Sequence, residues 1–161
     1  GMSIPINKQR VDAFNEIIKN YPDISILDSQ PADWSTHKAL ALMENYLQKH
    51  KHIDAVWCQD DDMLKGVMKA IEEAGRTEIK TVLGGAGSKD IIKMVKEDNP
   101  VVRATVTYSP SMVADGIIFG VDGARGENVG GLYHTPSRVI IAAYLVVKEN
   151  ADDFYFPDSA Y

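Results

Sequence analysis

The stretch DAVWCQDDDMLKGVMKAIEEAGRTEIKTVLGGAG (residues 54–87) decides the fold. It opens on a short apolar run from Asp54 to Cys58, which predicts a buried strand. Apolar residues at helical spacing then predict a helix from Asp61 to Ala74, which Gly75 ends in the left-handed position. Ile79 to Leu83 predicts a second strand. A helix of this length between two buried strands is typical of a parallel sheet.

The same alternation continues on both sides of this stretch. Further elements are predicted as helices at about 8–20, Ser35–Lys49, 88–97 and 111–124, and as strands at Ile24–Leu27, Arg103–Thr107 and Arg138–Val146. The tail from 151 to 161 reads as irregular, and 123–131 as a glycine-rich loop. We therefore expect an α/β fold of three layers around a doubly wound, mostly parallel, Rossmann-like sheet. Such domains open on a strand, whereas this chain opens on a helix, so we expect a first strand to be missing.

Composition limits the possible functions. The 161 residues suffice for one domain. The net charge of −6 argues against a nucleic-acid surface, which needs basic residues to neutralise phosphates. No apolar run approaches the roughly 18 residues of a membrane span. The first ten residues lack the apolar stretch of a signal peptide, and Gly1 before Met2 is typical of a cleaved expression tag.

Polar and aromatic residues follow the predicted strands, at the edge where open α/β sheets bind ligands. Trp34 closes the segment after the first strand, Asp60 and Asp61 follow the second, Ala86 lies in the glycine-rich loop after the third, and Tyr108 follows the fourth. Arg10, early in the first helix, reaches the same edge if a strand precedes it. An aromatic ring can stack on the C–H face of a sugar, while carboxylate and guanidinium groups pair with adjacent hydroxyls.

Each of these residues also has a structural alternative. Trp34 fits a loop tryptophan packed on the core, Arg10 a solvated helix residue, and Tyr108 a hinge residue. The run 60–62 equally fits favourable charge at a helix start, and less readily a metal site, because three successive carboxylates point in different directions. GGAGSK (84–89) matches neither common phosphate-binding pattern, although a simple anion site at the helix start stays open. No grouping of catalytic side chains is visible, so the sequence predicts no enzyme, cofactor or metal.

Three motifs together resemble the ribose-type periplasmic sugar-binding proteins, whose fold the effector domains of LacI-type regulators share. They are QPADW (30–34), VWCQDDDMLKGVMKAIEEAG (56–75) and ATVTYSP (104–110). The resemblance implies that Arg10 contacts sugar hydroxyls, that Trp34 stacks on the sugar, and that Asp60 stands where the family often has asparagine. Two positions depart from the ribose binders. Ala86 replaces an aspartate ligand and Tyr108 replaces a hinge glutamine, so another sugar or polyol is as well supported as ribose.

Family members are nearly twice as long, so the resemblance implies a carboxyl-terminal lobe only, with the whole chain 1–161 as one truncated lobe. Residues at about 111–146 would pack on the missing amino-terminal lobe, and we expect a homodimer or rearranged packing to cover their apolar faces. The implied function is non-catalytic sugar or polyol binding for an ABC-type importer, in the periplasm or at a membrane-anchored extracellular site. The alternative is the effector domain of a LacI-type regulator.

Overall fold

A computed structural model describes residues 4–108, 110–126 and 138–159 of the chain. Its helices are α1 (Pro5–Ile18), α2 (Thr36–Lys49), α3 (Asp61–Glu73), α4 (Lys89–Lys96), α5 (Met112–Arg125) and α6 (Ala151–Phe154). Its strands are β1 (Ala55–Trp57), β2 (Thr81–Leu83), β3 (Val102–Val106) and β4 (Leu145–Val146). The five long predicted helices and the three central strands are confirmed to within a few residues.

The four strands form one sheet in the order β1-β2-β3-β4. The first three are parallel, with Val56 opposite Val82 and Leu83 opposite Ala104, and β4 runs antiparallel to β3. The α/β class with a mostly parallel sheet is therefore confirmed. Because β1, β2 and β3 share one direction, their carboxyl ends lie along one edge of the sheet, and the segments after them begin there.

The sheet and the helices α2, α3 and α4 enclose the core. Fully buried side chains include Met43 from α2, Leu64 from α3, Val82 from β2 and Ile91 from α4. Helices α2 and α3 pack most closely at Gly66, where an added Cβ would lie 2.1 Å from the carbonyl oxygen of Thr36. Only a residue without a side chain permits this approach of two backbones. Because α2 and α3 each begin at the strand-end edge, their packing also fixes the position of the segments that precede them.

The Ile24–Leu27 segment is a correction to the sequence prediction. It is extended but belongs to no strand, and Ile24, Ile26 and Leu27 are each about half exposed. A strand requires hydrogen bonds to a neighbouring strand, and this segment pairs with none of the described strands. The strands of the described sheet follow chain order, with β1 at one edge.

The carboxyl-terminal part differs from its prediction in three ways. Of the predicted strand at 138–146, only Leu145–Val146 forms a strand, opposite Val106 and Thr105, and the Tyr144 carbonyl oxygen accepts the Thr107 N–H just beyond it. The tail is not wholly irregular, since a 3₁₀ turn (Lys148–Asn150) leads into α6. The predicted loop at 123–131 begins inside α5, which ends before Gly126, and its remaining residues lie outside the described part of the chain.

Helix α5 buries none of its side chains. Val113, Ile117 and Val121 repeat every four residues along one face and are 64%, 62% and 41% exposed. Residues 139–141 and Leu145 are also largely exposed apolar residues. Exposed apolar residues in such numbers are seldom left uncovered in a folded protein, and the covering of these segments by another surface stays a prediction.

Candidate functional site

Arg10 lies at the centre of the candidate site. Its Nη1 donates a hydrogen bond of 2.8 Å to the backbone carbonyl oxygen of Gln59, the second residue after β1. Its Cζ lies 5.5 Å from the ring centroid of Trp34 and 5.5 Å from that of Tyr108. Both distances fall within the ~6 Å over which a guanidinium is attracted to an aromatic face. Arg10 therefore joins α1 to the segments that precede α2, that follow β1 and that follow β3.

Trp34 reaches this position through an unusual backbone. Asp33 and Trp34 have φ angles of 51° and 61°, in the left-handed region that residues with a side chain rarely adopt. Each such residue costs about 1 kcal/mol or more, so the surrounding contacts must hold the turn. Ser35 contributes by donating its N–H to the Ala32 carbonyl oxygen at 2.9 Å. Trp34 packs partly on the core and still faces Arg10, so its structural and binding interpretations are compatible.

Tyr108 is the second aromatic residue near Arg10, and it lies two residues after β3. Its backbone N–H donates to the carbonyl oxygen of Ala86 at 2.8 Å, so the loop after β2 fixes its backbone. The residue is 45% exposed, which leaves part of the phenol ring open to solvent. Trp34 and Tyr108 thus both lie near Arg10, although the segment before Trp34 forms no strand. Their contact with a ligand stays a prediction.

Asp60 caps the amino terminus of α3. Its carboxylate accepts a hydrogen bond of 2.8 Å from the Asp62 N–H, as expected for a helix start. Partial burial raises the pKa of the Asp60 carboxyl above its usual value; the adjacent carboxylates of Asp62 and Asp61 add to this, and the hydrogen bond from Asp62 acts against it. Asp60 is half-buried and follows Gln59 directly, so its backbone is next to the residue that binds Arg10 and its carboxyl remains partly accessible.

Asp61 and Ala86, which the sequence predicts as ligand contacts, occupy interior positions, and their contact with a ligand stays a prediction. Asp61 has 0% exposed surface and Ala86 has 4%. Both carboxylate oxygens of Asp61 are occupied: Oδ1 accepts from the Gly85 N–H and the Thr105 hydroxyl, each at 2.9 Å, and Oδ2 accepts from the Ser88 N–H at 2.7 Å. Because Asp61 has no exposed surface and already accepts from three internal donors, its carboxylate is not open to a sugar hydroxyl in this arrangement.

The glycine-rich loop does not support an anion site. Gly85 and Ser88 direct their N–H groups to Asp61, while Ala86 and Gly87 direct theirs to the Thr105 hydroxyl oxygen at 3.4 and 3.2 Å. These four donors would have to turn outward to bind a phosphate. Gly87 has a φ of 73°, and a Cβ there would lie 3.1 Å from the Thr107 Cα, so glycine serves the turn itself. The loop is a structural link between α3 and β3.

Sequence reasoning did not select Gln59. Its carbonyl oxygen holds Arg10, and its side-chain Oε1 is buried without a hydrogen-bond partner among the described residues. The sequence signal that could have identified Gln59 was its position directly after Cys58, at the carboxyl end of the predicted strand. Within residues 4–108, 110–126 and 138–159, no group of three His, Cys, Asp or Glu side chains is placed to hold a metal ion. Among the helices of the same ranges, none has the length and apolar character that a membrane span requires.

Comparison with known proteins identifies relatives of two kinds. The D-allose-binding periplasmic protein of Escherichia coli K12 is 33% identical over 140 residues, which cover 86% of this chain and 44% of that protein. A ribose import binding protein of Salmonella typhimurium is 30% identical over 135 residues, which cover 83% of this chain and 44% of that one. Both are named for binding rather than for a reaction. The chain thus spans about half the length of the curated relatives that it matches.

A solved structure and a family model agree with these relatives. The solute-binding protein of an ABC transporter from Actinobacillus succinogenes, solved with bound D-allose, superposes with a TM-score of 0.79 at 26% identity. The superposition covers 94% of this chain and 51% of that one. The family model described as the periplasmic binding protein domain matches residues 3–119, most of the chain. The fold, the strand-end site and this match lead to one assignment: the chain belongs to the periplasmic binding protein domain family.

Proposed function

We propose that this chain is the carboxyl-terminal lobe of a non-catalytic binding protein for a monosaccharide or polyol, which serves an ABC-type importer. The observation that carries the proposal is the position of Arg10, within 5.5 Å of the ring centroids of both Trp34 and Tyr108, at the strand-end edge of the sheet. An arginine between two aromatic rings offers a hydroxyl ligand both charged donors and apolar plates. The names of the relatives, which bind D-allose and ribose, support the same class of ligand.

The proposed contacts are Arg10, Trp34, Asp60 and Tyr108. The Trp34 ring would stack on the C–H face of the sugar, and the free guanidinium N–H groups of Arg10 would donate to neighbouring hydroxyls. Asp60 would supply the complementary acceptor, because its partly exposed carboxylate can accept a hydrogen bond from a hydroxyl. These groups need no metal or cofactor to bind a neutral polyol.

Two positions of the proposed site differ from those of the ribose binders. Ala86 is buried and presents no side-chain acceptor where the ribose binders have an aspartate, and Tyr108 offers a ring and one hydroxyl in place of a hinge amide. Another sugar or a polyol is therefore as well supported as ribose.

In the whole protein, a second lobe would close over the ligand. Two lobes that clamp a small molecule by hinge motion bury most of its surface, which one lobe cannot do. The exposed apolar face of α5 and residues 139–141 supply the surface that the second lobe, or a second copy of this chain, would cover. The closed protein would then dock on a membrane permease from the periplasm or from the outer side of the membrane.

A regulatory function is the second candidate, as the effector domain of a LacI-type repressor. The relatives reported above are binding proteins, so the comparisons do not favour it. The coding sequence upstream of Met2 separates the two functions. A secretion signal followed by another α/β lobe supports import, whereas a helix-turn-helix headpiece supports regulation.

A binding titration followed by NMR tests the proposed ligand class. The chain, labelled with ¹⁵N, is titrated with D-allose, D-ribose and xylitol, each to tens of millimolar. We expect weak, saturable shifts of the Trp34 indole N–H and of the Gln59, Asp60 and Tyr108 amides, because one lobe supplies only half of a clamp. Arg10→Ala and Trp34→Ala should abolish these shifts. Arg103→Ala, which removes an exposed arginine of β3 that pairs with Asp98 and Asn99, is the matched control and should keep them. Shifts absent for all three ligands, or unchanged in Trp34→Ala, would contradict the proposal.

A further inference from the structure

Asp61 holds two adjacent elements of the sheet edge in place from inside the protein. Its carboxylate accepts three hydrogen bonds, from the Gly85 N–H, the Ser88 N–H and the Thr105 hydroxyl, at 2.9, 2.7 and 2.9 Å. Asp61 and Thr105 are both 0% exposed. Hydrogen bonds to an ionised acceptor are about twice as strong as those between neutral groups, and burial strengthens them further. The start of α3, the loop after β2 and the strand β3 therefore meet at one carboxylate.

Close packing against Asp61 also restricts the loop at 84–88. A Cβ at Gly84 would lie 2.2 Å from the Asp61 Oδ1, so the backbone of the loop lies directly against the carboxylate. Thr105 Oγ1 donates to Asp61 and accepts from the Gly87 N–H at 3.2 Å, which extends the network to the middle of the loop. The two side chains thus take the backbone donors of the whole segment from 85 to 88.

The loop in turn sets the position of Tyr108. The Ala86 carbonyl oxygen accepts the Tyr108 N–H at 2.8 Å, and Ala86 forms a parallel bridge with Thr107. Tyr108 then places its ring against Arg10. A continuous path of hydrogen bonds therefore runs from the Asp61 carboxylate through the loop to an aromatic residue of the candidate site.

We propose that Asp61 is a positioning residue, which sets the place of Tyr108 in the binding site through the loop at 84–88 without touching the ligand. The relevance of Tyr108 to sugar rests on the function proposed above, but the mechanical link does not. The neighbouring acids Asp60 and Asp62 have different tasks, since Asp60 caps α3 and the Asp62 side chain is 57% exposed. The three successive carboxylates are therefore one partly open cap, one internal anchor and one surface charge.

Amide hydrogen exchange of the full chain tests the link. Asp61→Asn replaces one acceptor oxygen by a donor of similar shape, and Asp62→Asn makes the same charge change at the next residue as a control. We expect Asp61→Asn to raise the exchange rates of the Gly85, Ser88 and Tyr108 amides by about tenfold or more. The Val82 amide, which donates to Val101 in the centre of the sheet, reports on the fold as a whole and should change much less. Asp62→Asn should change none of them.

Thr105 supplies an independent pair of variants if Asp61→Asn does not fold. Thr105→Val removes the hydroxyl and should loosen Gly87 and Tyr108, whereas Thr105→Ser keeps the hydroxyl and should retain the protection of the parent chain. Equal Tyr108 exchange in Asp61→Asn and Asp62→Asn, or in the two Thr105 variants, would overturn the proposal. A parallel loss of Tyr108 and Val82 protection would also overturn it, because Asp61 would then support only the general stability of the fold. Sugar titration of the same variants is a separate measurement. If no sugar binds, the exchange rates still show whether Asp61 positions Tyr108.

Discussion

Replacement of Gly66 by alanine should destabilise the chain, and the structure gives the size of the effect. The new Cβ would lie 2.1 Å from the Thr36 carbonyl oxygen and 3.0 Å from the Leu40 nitrogen. Ordinary contacts between heavy atoms are about 3.5 Å or longer, and both obstacles are backbone atoms of α2, so the two helices must separate. Overpacking of this kind costs about 1–3 kcal/mol, and the higher helix propensity of alanine returns up to about 1 kcal/mol.

The net expectation is a loss of about 2 kcal/mol in the free energy of unfolding, near the upper end because backbone cannot rotate away. With a urea dependence of about 2 kcal/mol per molar, the midpoint should fall by about 1 M. Gly116→Ala is the matched control, since nothing lies within 4 Å of an added Cβ at that position of α5. It should leave the midpoint unchanged or raise it slightly. Urea titrations followed by far-ultraviolet circular dichroism provide the comparison, and a Gly66→Ala midpoint equal to that of the parent chain would refute the packing argument.

Three further predictions follow from exposure and charge. Because the pKa of Asp60 is raised in the folded chain, its ionisation destabilises the fold as pH rises from the ordinary value of 3.8 through the raised pKa. Asp60→Asn should therefore be more stable than the parent near pH 7 and equally stable at acid pH. Urea titrations at the two pH values measure the difference. Burial raises the pKa of the Cys58 thiol to about 12, so iodoacetamide should label Cys58 only as fast as the chain unfolds, and rapid labelling of the folded chain would disprove its burial. The exposed Ile117 face should promote association, so the parent chain should elute as a dimer in size-exclusion chromatography and Ile117→Lys as a monomer; a parent that stays monomeric at high concentration would contradict this.

The central part of the fold could be predicted from the sequence, because burial of one helix face leaves a periodic pattern of apolar residues. Helix α3 buries Leu64, Val67 and Ile71 on one face, and that face is visible in the sequence as apolar spacing of three and four. The short strands β1 and β2 follow as apolar runs between helices. The Ile24–Leu27 run has the same local character, yet it forms no strand, because strand formation requires a neighbouring edge that local sequence does not reveal.

The candidate site was readable only in part. Residues after parallel strands meet at one edge, which was enough to place Tyr108 there, whereas Trp34 reaches Arg10 from a segment that forms no strand. The same rule could not separate Asp60 from Asp61. A finer signal did exist, because Asp61 precedes Leu64 by three residues and therefore lies on the buried face of α3. The left-handed backbone at Trp34 had no sequence signal, since tryptophan seldom adopts it.

Tryptophan fluorescence tests the central claim most directly, because the chain has two tryptophans and only one lies beside Arg10. Trp57→Phe leaves Trp34 as the single emitter, and Trp34→Phe leaves Trp57, which stacks on Phe14 at 4.3 Å. Addition of D-allose to both variants should change the emission of the Trp34-only chain in a saturable manner and leave the Trp57-only chain unchanged. A response from Trp57 alone, or from neither tryptophan, would show that the edge around Arg10 is not where sugar binds.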